Sequence, residues 1–401
     1  MGKSTAINPV TPAGRIASVD VYRGFVMLLM MGEALSFQNV AKALPDSNTW
    51  QILAFNQSHV PWTWCSLHDM IQPSFTFLVG VVLPFSLASR KNKGAATTAL
   101  LTHALLRSLI LVFLGFFLRS LGKDQTYFTF EDTLTQIGLG YTFLVMLGLC
   151  SRKVQIGALI IVLAGYWLAF ALYPLPGTGF DYASAGVSPG WEHNLHGCSA
   201  HWNKNTNLAW AFDRWFLNLF PRSMPFQYNE GGYSTLSFIP TLGTMILGLL
   251  AGNMLRNTQK DSARLKYFII TGASLLALGV LLHLTNLNPI VKRIWTPAWV
   301  LFSGGICFGF LVLFYWLVDL KQYKKPFFFL SVIGMNSIAA YLMSDGGVRQ
   351  YITDNLYVHL GPHYDQLFGT TYATLISGSL TLLLLWLILY WMYKRNIYVK
   401  I

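Results

Sequence analysis

Long apolar runs separated by polar connections dominate the chain. Ten stand out, at residues 21–40, 70–88, 100–118, 134–149, 156–172, 236–254, 267–284, 298–318, 327–343 and 372–393. A helix of roughly 17–25 residues crosses the ~30 Å hydrocarbon of a bilayer. The pattern therefore predicts an all-α polytopic membrane protein with about ten transmembrane helices. The fourth and fifth runs are parted only by residues 151–155. No tandem repeat or low-complexity tract interrupts the series, so residues 1–401 read as one membrane domain. One connection is different in kind. Residues 173–234 are polar and carry Trp191, Trp202, Trp210 and Trp215, which predicts a folded cap rather than a slack loop.

Charge gives the series a direction. Arg90, Lys91 and Lys93, then Arg152 and Lys153, then Arg256, Lys260, Arg264 and Lys266, then Lys321, Lys324 and Lys325 fall in alternate connections. Lys3, Arg15, Lys394, Arg395 and Lys400 place both termini with that set. Basic connections stay cytoplasmic, so both termini are expected there and the cap is expected outside. Composition agrees with a lipid solvent: 54% of residues are hydrophobic and 11% charged, against roughly a quarter charged in soluble domains. The mean hydropathy is +0.46. The net charge of +12 is explained by topology, and nothing points to nucleic acid. The first twenty residues lack a cleavable signal pattern, so the first apolar run is expected to insert uncleaved. Cys65 and Cys198 fall in loops on the same side, which admits a disulfide on topology alone.

Ionisable groups at membrane depth are expensive, so they pair or do chemistry. His59, His68 and Asp69 lie between the first two apolar runs. A histidine beside a carboxylate exchanges protons near neutral pH, which makes His59 and Asp69 candidate general acid–base groups. The alternative is an interfacial loop whose histidines only hydrogen-bond. Glu33 lies inside the first apolar run and is expected to face a lumen or substrate. Arg23 lies three residues after Asp20 and either anchors the helix or joins the basic inner face. Arg107 either snorkels to headgroups or contacts phosphates entering from the cytoplasm. Asp213 and Glu230 offer carboxylates to a cationic or hydroxylated ligand, or make surface ion pairs. Asn336 either bonds across helices or faces the ligand. His193, His196 and His201 have metal-ligand types without a metal spacing, and no metal is expected. No phosphate loop, nucleophile elbow, dinucleotide fingerprint or HExxH motif is present.

Arg15 to Gly24, His59 with Trp62 and Asp69, Asn207 to Arg214, Glu230-Gly231 with Ser234-Thr235, Leu247 to Gly252, and Gly334 to Ser337 occur in one order along the chain. Together they resemble the heparan-alpha-glucosaminide N-acetyltransferase family and its bacterial relatives, within the membrane-embedded acyltransferases. The resemblance implies transfer of acetyl from cytoplasmic acetyl-CoA to the amino group of a terminal glucosamine outside. It implies that His59 is the essential histidine and Asp69 its acid. Glu33, Trp62, His68, Asp213, Glu230 and Asn336 become acceptor-side candidates. Arg23, Arg107 and Gln136 become acetyl-CoA candidates. Thr135-Gln136 stands where the family often has Gln-Arg, and Glu33-Ala34 where it often has another polar residue, so the acceptor is left open. The implied location is a bacterial cytoplasmic membrane, with lipid and an amino sugar or glycan as partners and a homodimer admitted. Direct transfer is preferred over an acetyl-histidine, because one histidine beside an acid suffices to deprotonate the nucleophile. O-acetylation of a surface glycan keeps the chemistry and changes the acceptor. A proton-coupled transporter of an amino sugar would instead use Glu33 and the histidines for coupling, although no inverted repeat is visible.

Overall fold

The computed structural model describes residues 16–188 and 190–399. Of the basic terminal residues, Lys3, Arg15 and Lys400 lie outside the described residues. The apolar runs fold as helices: α1 (Ala17–Met31), α2 (Phe37–Ala43), α3 (Asn48–Asn56), α4 (Ile71–Asn92), α5 (Thr97–Ser120), α6 (Thr133–Gly148) and α7 (Arg152–Leu172). The cap holds α8 (Leu208–Phe216). Then come α9 (Phe238–Arg256), α10 (Asp261–Leu284), α11 (Pro297–Phe314), α12 (Phe328–Met335), α13 (Ser337–Asp345), α14 (Val348–Leu360) and α15 (Ala373–Lys394). Among the described residues, 7 helices are long and apolar enough to cross a membrane, and 9 if each bent pair is one span. The helix α6, with 16 residues, is the tenth apolar segment. The protein is an all-α polytopic membrane protein.

Two spans read as continuous are broken. The first ends at Met31, passes through a 3₁₀ turn over Gly32–Leu35, and bends by 43° into α2. Ser36 sits at φ 48°, a left-handed value that stops an α-helix. The 3₁₀ turn carries Glu33 toward His68 and Arg349. The ninth bends by 79° between α12 and α13 at Asn336. Its side chain leaves the helix ladder and binds the C-terminal tail: Nδ2 donates to the Ile397 carbonyl at 2.9 Å, and the Val399 N–H donates to Oδ1 at 3.2 Å. The connection read over 345–370 also contains α14.

The centre of the bundle is α9, pressed against α4. Its glycines make the approach possible: a Cβ on Gly248 would lie 1.9 Å from the Phe77 carbonyl oxygen, and one on Gly80 2.0 Å from that of Met245. The same device joins α1 to α12, where a Cβ on Gly24 would lie 1.9 Å from the Leu330 carbonyl oxygen and one on Gly334 1.9 Å from that of Asp20. Small residues suit membrane helices because lipid gives no hydrophobic drive to associate, and close backbone contact must supply it. In contrast, α7 and α10 bury little of their surface and face outward.

The cap packs on the bundle through buried Trp62, Tyr166, Phe170, Trp202, Val291 and Ile294. Trp62 Nε1 donates to the Trp202 carbonyl at 3.2 Å. Cys65 and Cys198 are both free thiols, so the topology that admitted a disulfide does not make one.

Candidate functional site

His59 lies in the connection between α3 and α4. That connection is held by an isolated antiparallel bridge between Thr63 and Val291, with the Trp64 N–H donating to the Ile290 carbonyl at 3.1 Å. Trp64 takes φ 71° to make this turn, a conformation that costs a non-glycine residue about 1–3 kcal/mol. The bridge brings Lys292, from the connection between α10 and α11, onto His59 and Asp69. Arg293 fastens the same join, donating to the Val60 carbonyl at 3.1 Å and the Gly231 carbonyl at 2.9 Å.

A three-residue centre results. His59 Nδ1 is 2.7 Å from Asp69 Oδ1, and Lys292 Nζ is 3.2 Å from the same oxygen. Lys292 Nζ is also 3.1 Å from His59 Nδ1. That nitrogen cannot donate to Asp69 and accept from Lys292 at once. The carboxylate accepts only, and its contact is shorter, so Nδ1 carries the proton and Lys292 pairs with Asp69. Nε2 then holds the ring's lone pair. Asp69 Oδ2 accepts from the Val60 N–H at 3.2 Å and from the Ser66 N–H and Oγ at 3.1 Å each. The side chains of Asp69 and Lys292 are 1% and 5% exposed, whereas that of His59 is 38% exposed. Burial holds His59 below the ordinary histidine range; the Asp69 bond opposes this, and the Lys292 charge adds to it.

The imidazole opens into a cavity of about 340 Å³. His68 lies beside it, with ring centroids 4.6 Å apart. His68 Nε2 is 3.1 Å from Glu33 Oε1, and Arg349 donates to Glu33 Oε2 at 3.0 Å. Across the cavity stand Arg119, Glu131, Asp132 and Asp345. Burial raises both Glu131 and Asp132, each against the pull of Arg119. With Glu33, four carboxylates therefore line this chamber beside two cationic side chains, Arg119 and Lys292.

A second cavity of about 690 Å³ lies toward the basic connections. Arg23, Arg90, His103 and Arg107 line it, and no carboxylate does among its described lining. Arg107 donates to the Tyr141 hydroxyl at 3.1 Å and lies over that ring, 4.7 Å from its centroid. Its Nε is buried with no hydrogen-bond partner among the described residues. Arg90 donates to His103 Nε2 at 2.7 Å, and Arg23 pairs with Asp20 at 3.7 Å. Tyr398 and Val399, pinned by Asn336, complete the wall.

The structure thus gathers His59, His68, Asp69 and Glu33 at one chamber, and Arg23 and Arg107 at the other. It sets the remaining candidates elsewhere. Gln136 is buried, its amide donating to the Phe130 carbonyl at 2.6 Å and to those of Ser234 and Thr235 at 3.3 Å. Asp213 accepts from the Thr235 N–H at 2.9 Å, and burial pushes its carboxyl up to about 7. Trp62 is enclosed under the cap, and Glu230 is exposed beside Lys204. Asn336 shapes the second chamber through the tail rather than lining it. Among the described residues no three His, Cys, Asp or Glu side chains are grouped to hold a metal. His201 instead bonds the Tyr173 carbonyl at 2.9 Å.

Lys292, Arg119, Glu131, Asp132, Asp345 and Arg349 escaped the reading of motifs. One signal was available for the cations: Arg119, Lys292, Arg293 and Arg349 lie on the side that the alternation of charge leaves poor in basic residues. An exception to that rule needs compensation: Lys292 pairs with Asp69, Arg349 with Glu33, Arg293 donates to the Val60 and Gly231 carbonyls, and Arg119 lies in the field of Asp345 and Asp132.

No protein-family model matches the chain. Two curated proteins do match: the heparan-alpha-glucosaminide N-acetyltransferase of Homo sapiens, 25% identical, and that of Mus musculus, 24% identical. Each alignment takes in 82% of this chain, with 52% of the human and 53% of the mouse protein. The chain spans about half the length of the curated relatives it matches. It is a distant relative of these N-acetyltransferases.

Proposed function

We propose that the chain is a transmembrane acetyltransferase that takes acetyl from acetyl-CoA and delivers it to an amino sugar. The observation that carries this reading is the division of charge between the two chambers around the His59–Asp69–Lys292 centre. The second chamber offers three guanidinium groups, one with an orphaned buried N–H, and suits the phosphates of CoA. The first chamber is rich in carboxylates, which favours a cationic ammonium and disfavours a polyanion. A neutral sugar hydroxyl would gain less from that wall, so an amine acceptor fits better than O-acetylation. The names of the two distant relatives, both glucosaminide N-acetyltransferases, point the same way.

In this reading the chain acts as a single domain, with residues 173–234 as an outer cap. The basic connections and both termini face the cytoplasm of a bacterial cell, as the charge rule predicts. Acetyl-CoA enters from the cytoplasm and the acceptor from outside. With the acceptor nitrogen in its neutral form, His59 Nε2 takes a proton from it as it attacks the thioester carbonyl. The C–N bond forms, the C–S bond breaks, and the thiolate departs toward the second chamber and takes a proton from water there, while the proton on His59 returns to water at the rim. Asp69 fixes the tautomer and stabilises the imidazolium. Lys292 keeps Asp69 compensated while His59 is neutral. His68 and Glu33, 3.1 Å apart beside the imidazole, give the proton a route toward the rim, and Arg349 holds Glu33 in place without carrying a proton. The test is acetyl transfer from acetyl-CoA to glucosamine by the purified protein. His59→Ala is expected to lower turnover at least 100-fold, the lower bound for loss of a positioned base. Wild-type turnover in that variant would remove His59 from the mechanism.

A further inference from the structure

The two chambers adjoin. Phe75 of α4 and Tyr341 of α13 line both of them. Their ring centroids are 6.4 Å apart with planes 31° from parallel, and both rings are buried. The surrounding register shows that they stand at the junction. On α4, Gln72 faces the first chamber, Phe75 faces both, and Val79 and Val82 face the second. These positions recur every three or four residues, the spacing of one helical face. From Gln72 to Val82 the helix rises about 15 Å, so along α4 the aromatic pair stands between the chambers, near the upper third of that stretch. On α5, Arg107 lines the lower chamber and Arg119 the upper, about 18 Å apart at the helical rise. A donor held by its phosphates on Arg107 must pass this aromatic neck to bring its thioester to His59.

We propose that Phe75 and Tyr341 form an acyl gate, which admits the thin thioester arm of the donor and limits the length of acyl chain that follows it. The inference rests on the transfer reading above and deepens it. Below the neck the wall is cationic and roomy enough for a nucleotide. Above it the carboxylates turn a polyanion back, so only the uncharged arm gains by crossing. The 79° break at Asn336 aims α13, and with it Tyr341, across the lumen at Phe75. An acyl chain longer than acetyl has to clear the same two rings before its carbonyl reaches His59.

The test uses the full chain reconstituted in vesicles of known orientation. Rates with acetyl-CoA and hexanoyl-CoA are compared for wild type, Phe75→Leu, Phe75→Ala and Phe75→Trp. Wild type is expected to prefer acetyl at least tenfold. Phe75→Ala is expected to narrow that preference about tenfold, with Phe75→Leu between them. Phe75→Trp is expected to slow both donors while CoA affinity stays as in wild type. A second readout needs no catalysis. A membrane-impermeant thiol reagent is supplied only at the basic face, and modification of Gln72→Cys is followed by peptide mass spectrometry. Labelling is expected to rise at least fivefold with Phe75→Ala and to fall with Phe75→Trp. Side-chain-dependent labelling in a protein without acyl transfer would sink the transfer reading and keep the gate. Equal labelling in every background, or an acyl preference that ignores residue 75 in active protein, would overturn the gate.

Discussion

At the scale of single residues the centre is one imidazole made useful by two buried neighbours. Asp69 takes up Nδ1 and so presents Nε2 to the cavity. Lys292 balances Asp69, which otherwise would sit uncompensated at 1% exposure. Because burial and the Lys292 charge hold His59 below its ordinary range, the imidazole stays neutral through neutral pH, as the proposed role of base requires. The acid limb of kcat/KM is therefore expected below pH 6.5, the unperturbed histidine value. Lys292→Met removes a charge that disfavours the imidazolium, so His59 rises and the limb moves to higher pH. The same variant takes the lysine charge from the buried Asp69, which keeps only His59 and neutral hydrogen bonds, and should cost up to about 3–5 kcal/mol of stability. Denaturation midpoints together with pH–rate profiles check both effects. A limb that stays put in Lys292→Met would show that Lys292 does not act on His59. His59 and Asp69 were legible in the sequence because they lie close together at a place where charge is costly. Lys292 was not, because it is 233 residues from His59 and the bridge that unites them has no sequence signature.

At the scale of elements, apolar length was the legible feature and close approach was the hidden one. Each predicted run is helical because a backbone in lipid must satisfy its own hydrogen bonds. Run length did not reveal the breaks at Ser36 and Asn336, since both segments are apolar on either side. At Asn336 the side chain binds the C-terminal tail, and at Ser36 the backbone takes a left-handed φ; neither is written in the length of an apolar run. Packing between α4 and α9 depends on Gly248, whose added Cβ would lie 1.9 Å from the Phe77 carbonyl oxygen. Backbone cannot yield there as a flexible side chain would. Gly248→Val is expected to separate the pair and lower the thermal midpoint in detergent by several degrees, or to prevent folding. Gly157→Ala in α7, with nothing within 4 Å of its added Cβ, should hold the midpoint or raise it, because alanine favours a helix over glycine. Equal midpoints for the two variants would contradict the close-packing account.

At the scale of the whole molecule, the fold places opposite electrostatic environments in two adjoining chambers. Acetyl-CoA should stabilise the protein by mass action, about 2.7 kcal/mol at one hundred times its dissociation constant. Arg107→Ala should weaken that stabilisation, and high salt should too, because phosphate contacts are screened. Thermal shift against acetyl-CoA at two ionic strengths measures this. A shift that appears with amino sugar and pH but ignores acetyl-CoA would favour a transporter instead.

By itself the sequence determined the solvent, the helical class and the alternation of basic connections, because these follow from composition and period along the chain. It also determined that His59 and Asp69 lie near one mouth of the bundle. Only the tertiary structure decided that Lys292 completes their centre, that Arg119, Glu131, Asp132 and Asp345 close the chamber around it, and that Phe75 meets Tyr341. Those contacts join residues on different helices, and their energies depend on distance in space rather than on position in the chain.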